Sequence, residues 1–244
     1  MRALARVVAR ADGHGGTRLT ELRGESPLLL RQTPGGTGAL TVYVVGGAAG
    51  PLAGDDLRLE IEVGPGAALR VCGVAASVAL PGRPGAVSRM QVHAVVGAGG
   101  ALHWLPEQLV AARGCAHLSE ARVKLAAGAT LSWRDELICG RYDEPAGNAT
   151  VYTSVDHDGR PLLRQSLAVG PDAPGWDGPA VLGGARATGS LLLVEPTGGS
   201  RSTAVHPGGS AARLPLHGSP ATLFTATAPD ARLLRDQLTP ELWS

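Results

Sequence analysis

The chain has 244 residues, a formal net charge of +1 and only 18% charged residues. No basic run exceeds an isolated Arg or Lys, so the electrostatic footprint that phosphate-backbone binding requires is absent and nucleic acid is excluded as an expected partner. Hydrophobic residues make up 44%, yet aromatic residues number four Trp, three Tyr and one Phe, so a core must be assembled from Ala, Val and Leu. Glycine (35) and proline (18) sit between alternating apolar segments, which points to many tight turns in one all-β domain spanning 1–244.

The amino terminus, Met1 to Arg10, carries a charge every few residues where a secretion signal needs an unbroken apolar stretch, and no 18-residue apolar run follows. A cytoplasmic protein without a membrane partner is the expectation. Arg2–Val8 and Thr17–Glu25 read as opening strands around a Gly-rich turn, Gly35–Ala39 as a turn, and Leu40–Val45 as a strand rich in β-branched residues. Asp55–Val63 alternates most cleanly: Leu57, Leu59, Ile61 and Val63 share one face and Arg58, Glu60 and Glu62 the other.

That strand runs into the first of three copies of one pattern, at Val63–Val71, Val96–Trp104 and Leu125–Trp133. Each is a Gly-centred reversal followed by small-x-Leu-x-apolar, which predicts strand, tight turn, strand, with Gly66, Gly99 and Gly128 at positive φ. A spacing of about 30 residues suits successive coils stacked on one another. The fold class expected is therefore a β-helix-like stack of antiparallel or mixed strands joined by Gly-rich turns. Beyond the repeats, strands are expected at Ala149–Val155, Leu162–Val169, Gly189–Val194, Arg201–Val205, Ala212–Leu216 and Ala221–Ala228. One or two short helices complete the set: Ala180–Ala187, against the helix penalty of paired glycines, and Pro229–Leu238, with Pro in the first turn and Ala231, Leu234 and Leu238 on one face.

Four blocks in order resemble the urease accessory protein UreD, called UreH in some organisms. They are Leu57–Val71 followed by Ala75-Ala76-Ser77; Leu102–Gln108; Ala121–Arg141; and Gly183–Arg186 leading to Gly189–Val194. The chain departs from the family pattern at Gly73-Val74 and Ser77-Val78, where polar residues are usual, and at Arg134, where a second Trp usually follows Trp133. The resemblance implies a β-stack with few helices and no catalytic activity of its own. It also implies a scaffold that binds UreF, reaches the GTPase UreG through UreF, docks on the urease apoprotein and assists nickel delivery. No tightly bound cofactor is implied, only nickel in transit.

The residues allow few other chemistries. There is no phosphate loop of the Gly-x4-Gly-Lys-Ser/Thr type, so the chain does not supply GTP hydrolysis. Ser166 and Ser190 lack a nucleophile elbow. Cys72, Cys115 and Cys139 are odd in number and lack zinc spacing, and Cys139 reads as a small buried apolar residue before a soft ligand. His93 and His103 fall on the polar faces of their strands, and Asp156-His157-Asp158 with Gly159 reads as a hairpin turn before a metal triplet. Asp135 continues the face of Leu131 and Trp133, and a carboxylate in that register must be paired, hydrated or facing a cavity. It is either a wall residue of an internal nickel route, or the end of a strand where Asp135 reaches solvent or Arg141. A stacked-β carbohydrate-active enzyme and a metal-independent β adaptor are the alternative functions. The enzyme would need clustered carboxylates and an aromatic platform, which the composition disfavours.

Overall fold

The computed structural model describes residues 1–33, 39–196, 202–206 and 209–239. The expected turn at Gly35–Ala39 lies almost wholly outside them. The chain opens with β1 (Arg2–Ala11), β2 (Thr17–Arg23), β3 (Leu28–Gln32) and β4 (Leu40–Gly46). Strand β5 (Asp56–Val63) turns into β6 (Ala68–Gly73), and the short β7 (Ser77–Ala79) leads to the next such pair, β8 (Ser88–Val96) and β9 (Ala101–Leu105). The path repeats with β10 (Leu109–Ala111), β11 (Ala116–Leu125) and β12 (Thr130–Cys139). A hairpin of β13 (Asn148–His157) and β14 (Arg160–Val169) follows, then β15 (Ala187–Val194), β16 (Ala204–Val205), β17 (Ala211–Pro215) and β18 (Ala221–Ala228). One helix, α1 (Ala231–Gln237), ends the described chain.

Two sheets result, and each coil contributes one strand to each of them. The first runs β14-β13-β11-β8-β5-β1-β2, with β13, β11, β8, β5 and β1 mutually parallel. The second runs β16-β17-β18-β15-β12-β9-β6-β4-β3, with β12, β9, β6 and β4 parallel and antiparallel strands at both flanks. Because the coils stack in register, like positions fall into rows: Leu69, Leu102 and Leu131 on the second sheet, Ile61, Ala94, Val123 and Val155 on the first. These side chains are buried and form the main core, in which Trp104 and Trp133 stack with ring centroids 5.2 Å apart. This is a β-solenoid-like stack.

Gly66, Gly99 and Gly128 have φ of 67°, 64° and 70°. Each is the third residue of a four-residue turn closed by Ala67 N to Gly64 O, Gly100 N to Gly97 O and Ala129 N to Ala126 O, at 3.2, 2.9 and 3.1 Å. That third position at positive φ is where glycine is needed. Nothing lies within 4 Å of a Cβ built on Gly66 or Gly99, so backbone angle and not space sets the requirement.

The second sheet is interrupted. After β6 the ladder breaks at Val74–Ala76 before β7, and after β9 it breaks at Pro106–Gln108 before β10. Pro106 carries no N–H and cannot serve the ladder. Strand β12 passes this gap unbroken: Thr130–Trp133 pair with β9 and Leu137–Cys139 with β10, leaving Arg134, Asp135 and Glu136 opposite the break.

Two expectations need correction. Ala180–Ala187 is not a helix but a run of turns in which Gly183 and Gly184 adopt φ of 58° and 82°, and Ala187 already belongs to β15. The carboxyl-terminal helix forms, but its cap is Asp230, whose side chain accepts from Leu233 N, and Pro229 lies before the cap instead of in the first turn. Of the expected strand Arg201–Val205 only Ala204–Val205 forms among described residues. Leu234 and Leu238 of the helical face are fully buried with Phe224 and Leu191 on the flank of the second sheet.

If the turns impose their angle through the backbone alone, Gly99→Val should lower unfolding free energy by about 1–3 kcal/mol. Val95→Ala, at an exposed position two residues before that turn, should stay within about 0.5 kcal/mol of the parent. Equilibrium denaturation of both variants measures the difference.

Candidate functional site

Opposite the sheet break the two sheets enclose a cavity of about 600 Å3. Its floor is apolar: Trp104 and Trp133 from the second sheet, Val92 and Ala121 from the first. Its rim includes the exposed small residues Ala48, Ala49, Val74 and Ala75, with Val74 55% exposed. Its walls carry polar groups where a core row would ordinarily be aliphatic. From the first sheet come His117 and Ser119 of β11, Thr153 of β13 and Gln165 of β14; from the second come Asp135 of β12 and Ser190 of β15.

Asp135 is held from both sheets. Its Oδ2 accepts from Trp133 Nε1 at 3.0 Å on the same strand and from Thr153 Oγ1 at 2.7 Å across the gap. Among the described residues Oδ1 has no partner, and Asp135 is one of the residues that line the cavity. Burial pushes its carboxyl above the usual range, more than the hydrogen bonds from Thr153 and Trp133 pull it down. Arg141 does not pair with it, being bound to Glu144 at 2.8 Å.

Glu136 points to the other face of β12 with its side chain 2% exposed, and is paired with Arg235 of α1. The same guanidinium reaches Glu107 at 2.9 Å, so the carboxyl-terminal helix is fastened across the sheet break. Arg134 donates to Pro106 O at 2.9 Å and lies 3.6 Å from Glu136. A buried carboxylate is tolerated here because two cations face it.

The remaining candidates lie apart. His93 is on the outer face of the first sheet with Nε2 buried and unpartnered, its pKa lowered by burial and by Arg58 and Arg122. His103 meets Ser132 Oγ at 3.1 Å, away from the cavity lining. Cys139 sits in a separate apolar cluster, where burial pushes its thiol up to about 11. Asp156–Asp158 leads into the β13–β14 hairpin turn, where Asp158 and Gly159 take φ of 50° and 72° and Arg164 pairs with Asp156. Ser190 lines the cavity, Ser166 does not. Among the described residues no three His, Cys, Asp or Glu side chains are grouped to hold a metal ion.

Four wall residues escaped the sequence reading: His117, Ser119, Thr153 and Gln165. The signal was present for two of them. His117 and Ser119 extend the alternation of Ala121, Val123 and Leu125 by two steps, and polar residues in an inward register mark a cavity as well as a strand end.

The stacked rings of Trp104 and Trp133 are buried in the core of this β-stack, so neither offers a surface platform for stacking a sugar. No helix among the described residues is long and apolar enough to cross a membrane. The family profile described as UreD urease accessory protein matches residues 1–240. Urease accessory protein UreD 3 of Streptomyces griseus is 52% identical over 98% of this chain and 94% of its own length. Urease accessory protein UreD of Streptomyces avermitilis is 46% identical over 96% of this chain and 94% of its own, and that of Parafrankia sp. 44% identical over 98% and 86%. The chain belongs to the UreD family of urease accessory proteins.

The burial of Asp135 has a consequence for stability. A carboxyl whose pKa is higher in the folded state favours folding below its unfolded pKa and loses that contribution as pH rises through the folded value. Asp135→Asn keeps an oxygen to accept from Thr153 and Trp133 and removes the charge. The variant should melt at a higher temperature than the parent at pH 7, and the gain should shrink as pH falls through the raised folded value and be gone once pH reaches the bottom of the ordinary carboxylate range. Thermal unfolding across pH measures it.

Proposed function

We propose that this chain is a non-catalytic scaffold of urease maturation that binds the urease apoprotein and UreF, engages UreG through UreF, and carries nickel past Asp135 through the cavity between its sheets. The observation that carries this reading is the carboxylate itself. Asp135 stands where aliphatic rows of the core give way to hydroxyl, amide and imidazole groups, with one oxygen fixed and the other without a partner among the described residues. Family membership supports the maturation role, since the relatives are named as urease accessory proteins.

A route must release what it takes up. A single oxygen donor binds a divalent cation weakly enough to let it go. Burial that raises the Asp135 pKa also means that a passing cation and a proton compete for the same oxygen. The exposed small and apolar rim, Ala48, Ala49, Val74 and Ala75, suits a partner that covers the cavity and continues the path, which is the place we assign to UreF. The chain has no phosphate loop, so hydrolysis of GTP falls to UreG.

In a strain lacking the chromosomal copy, Asp135→Leu should leave the chain folded and UreF bound yet lower urease activity severalfold at limiting nickel. Glu60→Leu on the outer face should not. Normal urease activation by Asp135→Leu would place the route elsewhere.

A further inference from the structure

The cavity holds one imidazole that the reading above does not use. His117 is 4% exposed and lies on the wall of the first sheet, two inward positions before Ala121. Its Nδ1 is 2.9 Å from Ser88 Oγ, and Ser88 Oγ in turn donates to Ala116 O at 3.2 Å. A hydroxyl has one hydrogen, and a carbonyl oxygen only accepts. Both contacts are hydrogen bonds at once only when the Ser88 hydrogen goes to Ala116 O and His117 carries its proton on Nδ1, with Ser88 Oγ accepting it; that fully bonded arrangement is the one assigned to the pair. Ser88 is wholly buried on the neighbouring parallel strand, paired directly with His117, which fixes the arrangement through the backbone.

That tautomer leaves Nε2 with a bare lone pair. No described residue donates to it, and the ring lines the cavity. An imidazole whose far nitrogen is held by a partner, and whose near nitrogen is unprotonated and open, is the state in which histidine ligates metals.

From this geometry we infer that His117 Nε2 is a transient nitrogen ligand for a borderline divalent transition metal in the cavity, with Ser88 as the positioning residue that holds the tautomer. The inference deepens the proposed route: Asp135 supplies oxygen, His117 supplies nitrogen, and Ser119 stands between Ala121 and His117 on the same inward face of β11. Oxygen donors also suit Mg2+ and Ca2+ and discriminate weakly against them, whereas imidazole sharpens the preference for the later transition metals. His117 therefore makes the route selective. Burial holds its pKa down at about 4, so no proton has to leave before a metal arrives at neutral pH.

The test uses the purified full-length chain labelled with 15N at histidine, and needs no urease, so its outcome is independent of whether nickel delivery requires Asp135. At pH 7, free protein should show His117 as the neutral Nδ1–H form. Zn2+, as a diamagnetic probe, should shift its Nε2 resonance, Ni2+ should broaden it, and Mg2+ at the same concentration should leave it unchanged. Ser88→Ala keeps the ligand and frees the tautomer, and should weaken the Zn2+ effect about tenfold or more. A His117 found as the Nε2–H tautomer would overturn the inference. So would a His117 signal that stays fixed while the exposed His14 and His217 saturate with metal, or a Ser88→Ala chain that binds as the parent does.

Discussion

In-register parallel pairing of successive coils is the constraint on which the rest depends. Once β5, β8, β11 and β13 are aligned residue for residue, every inward position becomes one member of a row, and the row must be chemically uniform to pack. Leu69, Leu102 and Leu131 meet that demand, as do Val63, Val96 and Leu125. A slip of one residue would turn each row to solvent, so the Gly66, Gly99 and Gly128 turns matter because they fix where each coil reverses.

The same register explains where polarity can enter the interior. Away from the Gly turns the rows stop being uniform: Met90 faces Ser119, and Val92 and Ala121 are followed by Thr153. On the opposite sheet the ladder lapses at Val74–Ala76 and Pro106–Gln108, and β12 crosses the lapse with Asp135 turned inward. Missing aliphatic bulk on one side and missing strand on the other leave a gap, and the groups that line it include polar ones. The Asp135–Thr153 hydrogen bond then joins sheets that apolar contact no longer joins, and Arg235 closes the break from outside through Glu107 and Glu136.

Much of this was legible in the sequence, for reasons that also mark the limit. Leu57, Leu59, Ile61 and Val63 alternate without exception because that strand is apolar on one side and solvated on the other. The alternation from Leu131 through Trp133 carries on to Asp135. Strands β7 and β10 are three residues long, too short to show a period. The Ala180–Ala187 segment is apolar enough for a helix, but its paired glycines settle into left-handed turns. The partner of Asp135 was hidden for a different reason: Thr153 lies 18 residues away on another sheet, and only the stacking of coils brings the two side chains together.

The central claim is that the gap between the sheets is used as a passage. Filling it tests that claim without touching Asp135, His117 or any partner-facing residue. Ala121 is 5% exposed on the cavity floor between Val92 and Thr153, and Ala121→Leu would put apolar bulk into the gap. The account predicts a chain that folds and still binds UreF but activates urease poorly at limiting nickel. Full activation with the cavity shown to be filled would contradict it.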